Sequence, residues 1–307
     1  MRFLVFKLIF SLGFVLHAQN TDVRYIIIPE SPRPGDPVTI GVNHDSGVRS
    51  GALMSGGQRV SRTVFFDVSV SGGQQPFRAA VIAVPVPTAP GRATLVLQDS
   101  NSGTLAEIPL TIAPREFPSE TIRLNRVMTG LMEPPDQQRI DESNHLLAIR
   151  GRVGNEVHAL GSFRAPTTAT RRTSHFGYRR NYLYPDGRRS VSIHDGIDFG
   201  IPAGTPVHAS APGRVALARH RILTGNSILI EHLPGVFSVY YHLDRIDVEE
   251  GALVAAGSVI GLSGNTGFST GAHLHWEMRV FGHYVDPDAF VARPIIDRDA
   301  ILSTIGN

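Results

Sequence analysis

From Val23 to about Ala113 the chain repeats one pattern, a short run of β-branched and aromatic residues followed by a Gly, Pro or Asp turn signal. The runs are residues 25–28, 38–42, 63–70, 77–84, 92–98 and 105–112, and the turns include Pro34-Gly35-Asp36, Gly56-Gly57, Gly72-Gly73 and Pro90-Gly91. Several runs alternate with the period of two that puts one strand face in a core, as where Val64, Phe66, Val68 and Val70 share a side. Six or seven such strands in about 95 residues predict a small immunoglobulin-like β-sandwich over residues 19–115. No group of catalytic residue types occurs there.

The texture changes over residues 116–165. Pro134-Pro135-Asp136 opens a predicted helix that runs through Arg150, with Gly151 suited to its end. Ile140 and Leu147, seven apart, define its expected apolar side, and Leu146 and Ile149 widen it, so the segment reads as a helical connector that packs on its neighbours. Strand patterns return over residues 166–295, punctuated by Gly and Pro as in Pro202-Ala203-Gly204-Thr205-Pro206, which suits a compact β-barrel or sheet. Residues 296–307 read as a C-terminal tail. The predicted fold class is therefore mostly β, in two folded parts, as a length of 307 residues allows.

The apolar stretch Phe3 to Leu16, behind Arg2 and before Ala18-Gln19, predicts a secretory signal peptide over residues 1–18 and hence export to the periplasm or cell surface. It is shorter than a membrane span of about 20 residues, and no later stretch qualifies, so the mature form is expected to have no membrane span. Arg2 and Lys7 fall in this leader; without them 29 − 2 = 27 basic residues face 27 acidic ones, and no nucleic-acid role is expected. Lys7 is also the only lysine, which excludes a lysine base or a lipoyl-type carrier role from the mature chain. With no cysteine, there is no disulfide framework, and any metal site has to use histidine and carboxylate.

Two histidine motifs meet that condition. His273-Leu274-His275-Trp276-Glu277 on a strand would send His273, His275 and Glu277 to one face, and His194 and Asp198 stand four apart in His194-Asp195-Gly196-Ile197-Asp198. Ligands drawn from both motifs can build a tetrahedral site, and if they supply three donors the open fourth position suits hydrolysis. Each motif alone also has an ordinary reading as a hydrogen-bonded pair. Among the other histidines, His232 reads as a turn or surface residue. The stretch from Asn181 to Ser192, with Arg188 and Arg189, reads as a loop on the rim of a groove.

In order along the chain come Thr173-Ser174-His175-Phe176-Gly177-Tyr178-Arg179, the His194 to Asp198 motif, Pro202 to Val207, and Val239-Tyr240-Tyr241-His242-Leu243. Gly264-Asn265-Thr266-Gly267, Gly271 to Glu277, and Tyr284-Val285-Asp286-Pro287 complete the series. Over roughly residues 173–290 it resembles the lysostaphin-type, LytM-like zinc endopeptidases of bacterial cell walls. The resemblance implies one zinc ion held by His194, Asp198 and His275, with His242 and His273 handling protons and peptidoglycan peptides as substrate. His273 is the expected general base, because strand parity puts it beside His275; His242 would stabilise the oxyanion or assist the leaving group. No glutamate base of the His-Glu-x-x-His kind is present, so a histidine takes that work. His175, Tyr241 and Glu277 are candidates for the substrate groove, Glu277 alternatively as a partner that orients a histidine. The family also includes non-catalytic wall-binding or amidase-activating members, the alternative reading, and multidomain members held latent by an upstream segment. The latter implies an autoinhibitory contact from the N-terminal region.

Overall fold

The computed structural model describes residues 23–69, 75–132, 137–151 and 153–306, so the leader lies outside the described residues. Eight strands come first: β1 (Tyr25–Ile28), β2 (Pro37–Asn43), β3 (Ser50–Ser55), β4 (Gln58–Val64), β5 (Phe66–Val68), β6 (Phe77–Ala83), β7 (Gly91–Gln98) and β8 (Thr104–Ile112). They form two four-stranded sheets, ordered β1-β2-β6-β5 and β4-β3-β7-β8. In β8 the alternation is regular, with Ala106, Ile108, Leu110 and Ile112 turned inward. β6 is buried along its whole length for a different reason. Ala80 and Ile82 face the second sheet, whereas Phe77, Ala79, Val81 and Ala83 face away from it into the C-terminal core. A strand covered on both faces reads as a continuous apolar run.

The run 63–70 is not one strand. Phe65 breaks it, packing in the core between the two N-terminal sheets, while its neighbour Phe66 packs in the C-terminal core. The chain thereby crosses from one sheet to the other, because both phenylalanines are buried and they point to opposite cores; Val70 lies outside the described residues.

Next come β9 (Ser119–Arg123), α1 (Arg126–Met132) and α2 (Gln137–Gly151). The expected apolar side of α2 is corrected. Leu146 and Ile149 pack against Leu217, Leu229, Val239 and Tyr241, while Ile140 and Leu147 are exposed. Strand β9 pairs in parallel with β11 (Arg179–Leu183), whose other edge pairs with β12 (Arg189–Ile193), so the expected loop over residues 181–192 is a hairpin.

The remaining strands are β10 (Arg172–Ser174), β13 (Ile197–Phe199), β14 (Pro206–His208), β15 (Gly213–Arg221), β16 (Gly225–Leu233), β17 (Val236–Ile246), β18 (Leu253–Val254), β19 (Val259–Ser263), β20 (Leu274–Val280) and β21 (His283–Val285). They make a ten-stranded sheet whose main path runs β10-β13-β20-β17-β16-β15-β18. Helices α3 (Pro287–Ala292) and α4 (Arg298–Ile305) follow. The expected tail is thus a helix: Ile301 and Ile305 of α4 are buried, and a side chain at Gly41 would meet Ile301 at 2.7 Å.

His232 is buried, not at a surface turn. Its Nδ1 lies 2.7 Å from the Pro212 carbonyl, its Nε2 2.7 Å from Ser238 Oγ, and Phe163 packs edge-on at 4.8 Å. Burial pushes it down from 6.5 to about 4, and any charge on nearby His158 adds to this. The unfolded chain takes up this proton below about pH 6.5 and the folded chain does not. The stability is therefore complete above pH 6.5 and lost as pH falls toward 4, by ~3 kcal/mol in total. Urea titrations between pH 7 and 4 should show that loss in the wild type and a flatter profile in His232→Gln; parallel profiles would contradict it.

Candidate metal centre and active site

Strand β20 builds the centre by alternation. Leu274, Trp276, Met278 and Val280 enter the shared core, which turns His275, Glu277 and Arg279 to the opposite face. On the neighbouring strands Asp198 and Tyr241 both stand in register with His275. Gly196 lets β13 lie this close, since a Cβ there would sit 2.2 Å from the Trp276 carbonyl oxygen. The turn it makes also brings His194 over the same face.

Three donor atoms converge. His275 Nδ1 is 2.7 Å from Asp198 Oδ1, and His194 Nε2 is 3.1 Å from each of them. The edge of a tetrahedron with zinc-ligand bonds near 2.0–2.1 Å is about 3.3 Å, so two imidazoles and a carboxylate at these separations fit a small divalent cation. Their outer atoms are also tied, as ligating groups require. His194 Nδ1 lies 2.9 Å from the His175 carbonyl and 3.0 Å from Ser174 Oγ, and His275 Nε2 lies 3.0 Å from Glu277 Oε1. Arg180 donates to Asp198 Oδ2. Arg279 in turn donates from Nε to Glu277 at 2.6 Å and from a terminal nitrogen to Asp195 at 2.7 Å.

The electrostatics favour positive charge at this point. Burial would lower His275, but Asp198 and Glu277 outweigh it and push it up to about 9. Burial would raise Asp198, but hydrogen bonds from His194 and His275 hold its carboxyl well below the usual range. Burial lowers His194. A group of carboxylates that holds a proton on His275 is equally suited to hold a cation.

His242 and His273 flank the trio, their rings 4.7 Å apart. His273 Nδ1 donates to the Gly271 carbonyl at 2.8 Å and His242 Nδ1 to the Thr266 carbonyl at 2.7 Å. Each tie makes Nε2 the unprotonated nitrogen, and His273 Nε2 lies 3.7 Å from Asp198 Oδ1. Burial lowers both, His242 to about 3, so both stand as neutral bases. His242 adopts φ +63°, a conformation worth about 1–3 kcal/mol of strain. Its N–H bonds Thr224 at 2.9 Å instead of continuing the ladder.

Two of the three groove candidates, Tyr241 and Glu277, are buried. Tyr241 is 5% exposed, stacks on His275 at 5.5 Å, and shares an apolar cluster with Leu146 of α2. Glu277 is 2% exposed. Both sit under the centre, where the sheet meets α2, and do not line a groove. The imidazole of His175 is exposed beside Tyr178, and the residue touches the centre through its carbonyl. Sequence reasoning did not find Ser174 and Arg180, which hold the outer atoms of His194 and Asp198, nor Glu120 and Arg279, which hold partners of the donor residues; of these only Arg279 carries a spacing signal, its parity with His275 and Glu277.

Residues 192–287, which carry all three converging donors and both flanking histidines, match peptidase family M23. This stretch of the chain carries the M23 family match. Its M23 region is similar to the DD-carboxypeptidase/endopeptidase Mpg of Neisseria meningitidis, at 41% identity over 135 residues, 44% of this chain and 30% of that protein. It is also similar to the peptidoglycan DD-endopeptidase ShyA of Vibrio cholerae, at 44% identity over 114 residues, 37% of this chain and 26% of that protein. The chain thus matches about a third or less of the length of these relatives. A putative peptidase M23 from Pseudomonas aeruginosa shares the wider architecture, with a TM-score of 0.60 and 25% identity over 85% of this chain and 94% of that one. Among the described residues no helix is long and apolar enough to cross a membrane.

Proposed function

We propose that this chain is an exported zinc endopeptidase that hydrolyses peptide bonds in the stem peptides or cross-links of peptidoglycan. The catalytic part would span residues 166–295, behind an immunoglobulin-like sandwich and the connector. The observation that carries the proposal is the convergence of His194, Asp198 and His275, with the Nε2 atoms of two further histidines left as acceptors beside them. The names of the related enzymes supply the substrate class. Zinc bound by this trio supplies Lewis acidity to water and to the scissile carbonyl.

The chain's own residues do the rest. His273 accepts the water proton at Nε2, held in aim by its Nδ1 bond to Gly271. The same proton passes from His273 Nε2 to the departing amine, so the step balances; His242, neutral at rest, would donate to the carbonyl oxygen from Nε2 only after taking a proton from solvent, which the negative charge growing there would hold. Glu277, clamped by Arg279, fixes the ring of His275. Purified peptidoglycan incubated with zinc-loaded full chain should release fragments with new amine termini, identified by mass, and a chelator should stop the release. Intact wall after prolonged incubation would overturn the proposal.

The proposed form is latent. Glu120 and Ile122 line one cavity with Asp198 and His273, and the chain that follows is anchored by Leu124 and Met128, buried against Tyr182 and beside Phe268. The N-terminal sheet and the ten-stranded sheet share one core, so excising the first half would expose apolar surface; latency is better tested within the full chain. Met128→Asp removes a buried anchor worth about 2–5 kcal/mol, enough to raise the released fraction, and with it the hydrolysis rate, about tenfold or more. An unchanged rate in a folded variant would exclude latency through α1.

A further inference from the structure

A carboxylate already stands against Arg180 in the cavity beside the centre, and it belongs to the connector. Glu120 Oε1 accepts from Arg180 Nε at 2.8 Å and from Ser174 Oγ at 2.8 Å. It reaches them because β9 lies along the edge of β11 in strict register, Glu120 opposite Arg180 and Ile122 opposite Tyr182. Main-chain bonds bracket the pairing, from Arg179 N to the Pro118 carbonyl at 2.8 Å and from Leu124 N to the Leu183 carbonyl at 2.9 Å. Glu120 and Ile122, two apart on a strand, project into one cavity of about 250 Å³, whose other walls include Asp198 and His273.

We infer that β9 occupies the place of an extended acidic peptide, and that Arg180 is the residue that recognises a carboxylate of the substrate. The inference rests on the peptidase reading of the same centre. An extended peptide added to a free edge of β11 gains main-chain bonds without regard to sequence, and selectivity then comes from the side chains that alternate toward the cavity. In this register the first such position meets a guanidinium and a hydroxyl, a combination that suits a carboxylate. The second meets the apolar surface around Tyr182 and Phe268. The favoured ligand carries a free carboxylate and, two residues on, an aliphatic group. Arg180 keeps its bond to Asp198 when Glu120 leaves, so it remains aimed into the cavity with its Nε–H and the Ser174 hydroxyl released. The same displacement removes one negative charge from the cavity and makes it more attractive to an anionic peptide.

The test uses full-chain Glu120→Gln and two synthetic stem peptides, one with a free glutamyl α-carboxylate and one with that group amidated, with binding read by calorimetry. Glu120→Gln should bind the free acid about tenfold more tightly than the wild type does, and about tenfold more tightly than the amide, the scale of one charge-assisted hydrogen bond. Adding Arg180→Gln should erase the preference. Adding Arg180→Lys, which keeps the charge beside Asp198 but loses the planar fork, should retain part of it and guards against a folding defect. Equal binding of acid and amide, a preference that survives Arg180→Gln, or no binding of either peptide would overturn the inference. Selective binding without cleavage would uphold it and remove the peptidase reading instead; cleavage without selectivity would do the reverse.

Discussion

His275→Ala is expected to reduce peptidoglycan hydrolysis to background and to lose zinc. His275 Nδ1 lies within 3.1 Å of both other donor atoms, so its removal leaves two protein donors where an open catalytic zinc site needs three. The same substitution separates two buried carboxylates from their shared partner. Removing one member of a buried ion pair typically costs about 3–5 kcal/mol; the lower end applies here, because Arg180 still contacts Asp198 and Arg279 still contacts Glu277. The variant should therefore fold with a reduced melting temperature. Glu277→Gln keeps all three donors and removes only the carboxylate that orients the ring, so its zinc affinity should fall about 10–100-fold, with activity restored by added zinc. The pair is read by metal content, thermal melting and product release. Stoichiometric zinc in a folded His275→Ala, or measurable cleavage by it, would remove His275 from the donor set.

Much of the centre was legible because it lies on regular strands. The parity of His273, His275 and Glu277 needs only the period of two, and the glycine between His194 and Asp198 marks the close approach that Trp276 imposes. His242 was legible only through the family resemblance. Counting by twos puts it on the face of Tyr240, whose side chain is in the shared core. The left-handed residue and the bulge between β16 and β17 turn it to the other face, beside His273. Tyr241 and Glu277 are kept from a groove for a tertiary reason, since α2 packs on the sheet at Tyr241 and both side chains are buried. Periodicity placed the helix but chose its wrong side, because Leu146 and Ile149 reach the sheet where Ile140 and Leu147 cannot. Likewise, nothing local announces that the alternation of residues 63–70 breaks at Phe65, since both sides of the break are equally apolar.

His273→Ala and His242→Ala are expected to keep zinc and lose turnover, which separates them from the donor residues. Neither belongs to the converging trio, and their Nδ1 atoms are tied to loop carbonyls, so truncating either leaves His194, Asp198 and His275 in place. Loss of a positioned general base typically costs about 10²–10⁴-fold in rate. His273 should show the larger fall, because its Nε2 stands 3.7 Å from Asp198 Oδ1, close to where water would be activated, whereas the ring of His242 is 6.1 Å from that of His275 and makes no hydrogen bond to the trio. The fall should appear in kcat with KM little changed, since neither ring is assigned to hold the peptide in its ground state. In His242→Ala the strained φ of +63° is kept by an alanine, which tolerates it no better, so its melting temperature should stay near that of the wild type. Should both variants release products at the wild-type rate, proton transfer would have to be reassigned, and Arg180 with Ser174 would be the next groups to test. Should His242→Ala fall further than His273→Ala with zinc intact, the two roles exchange and the site assignment stands.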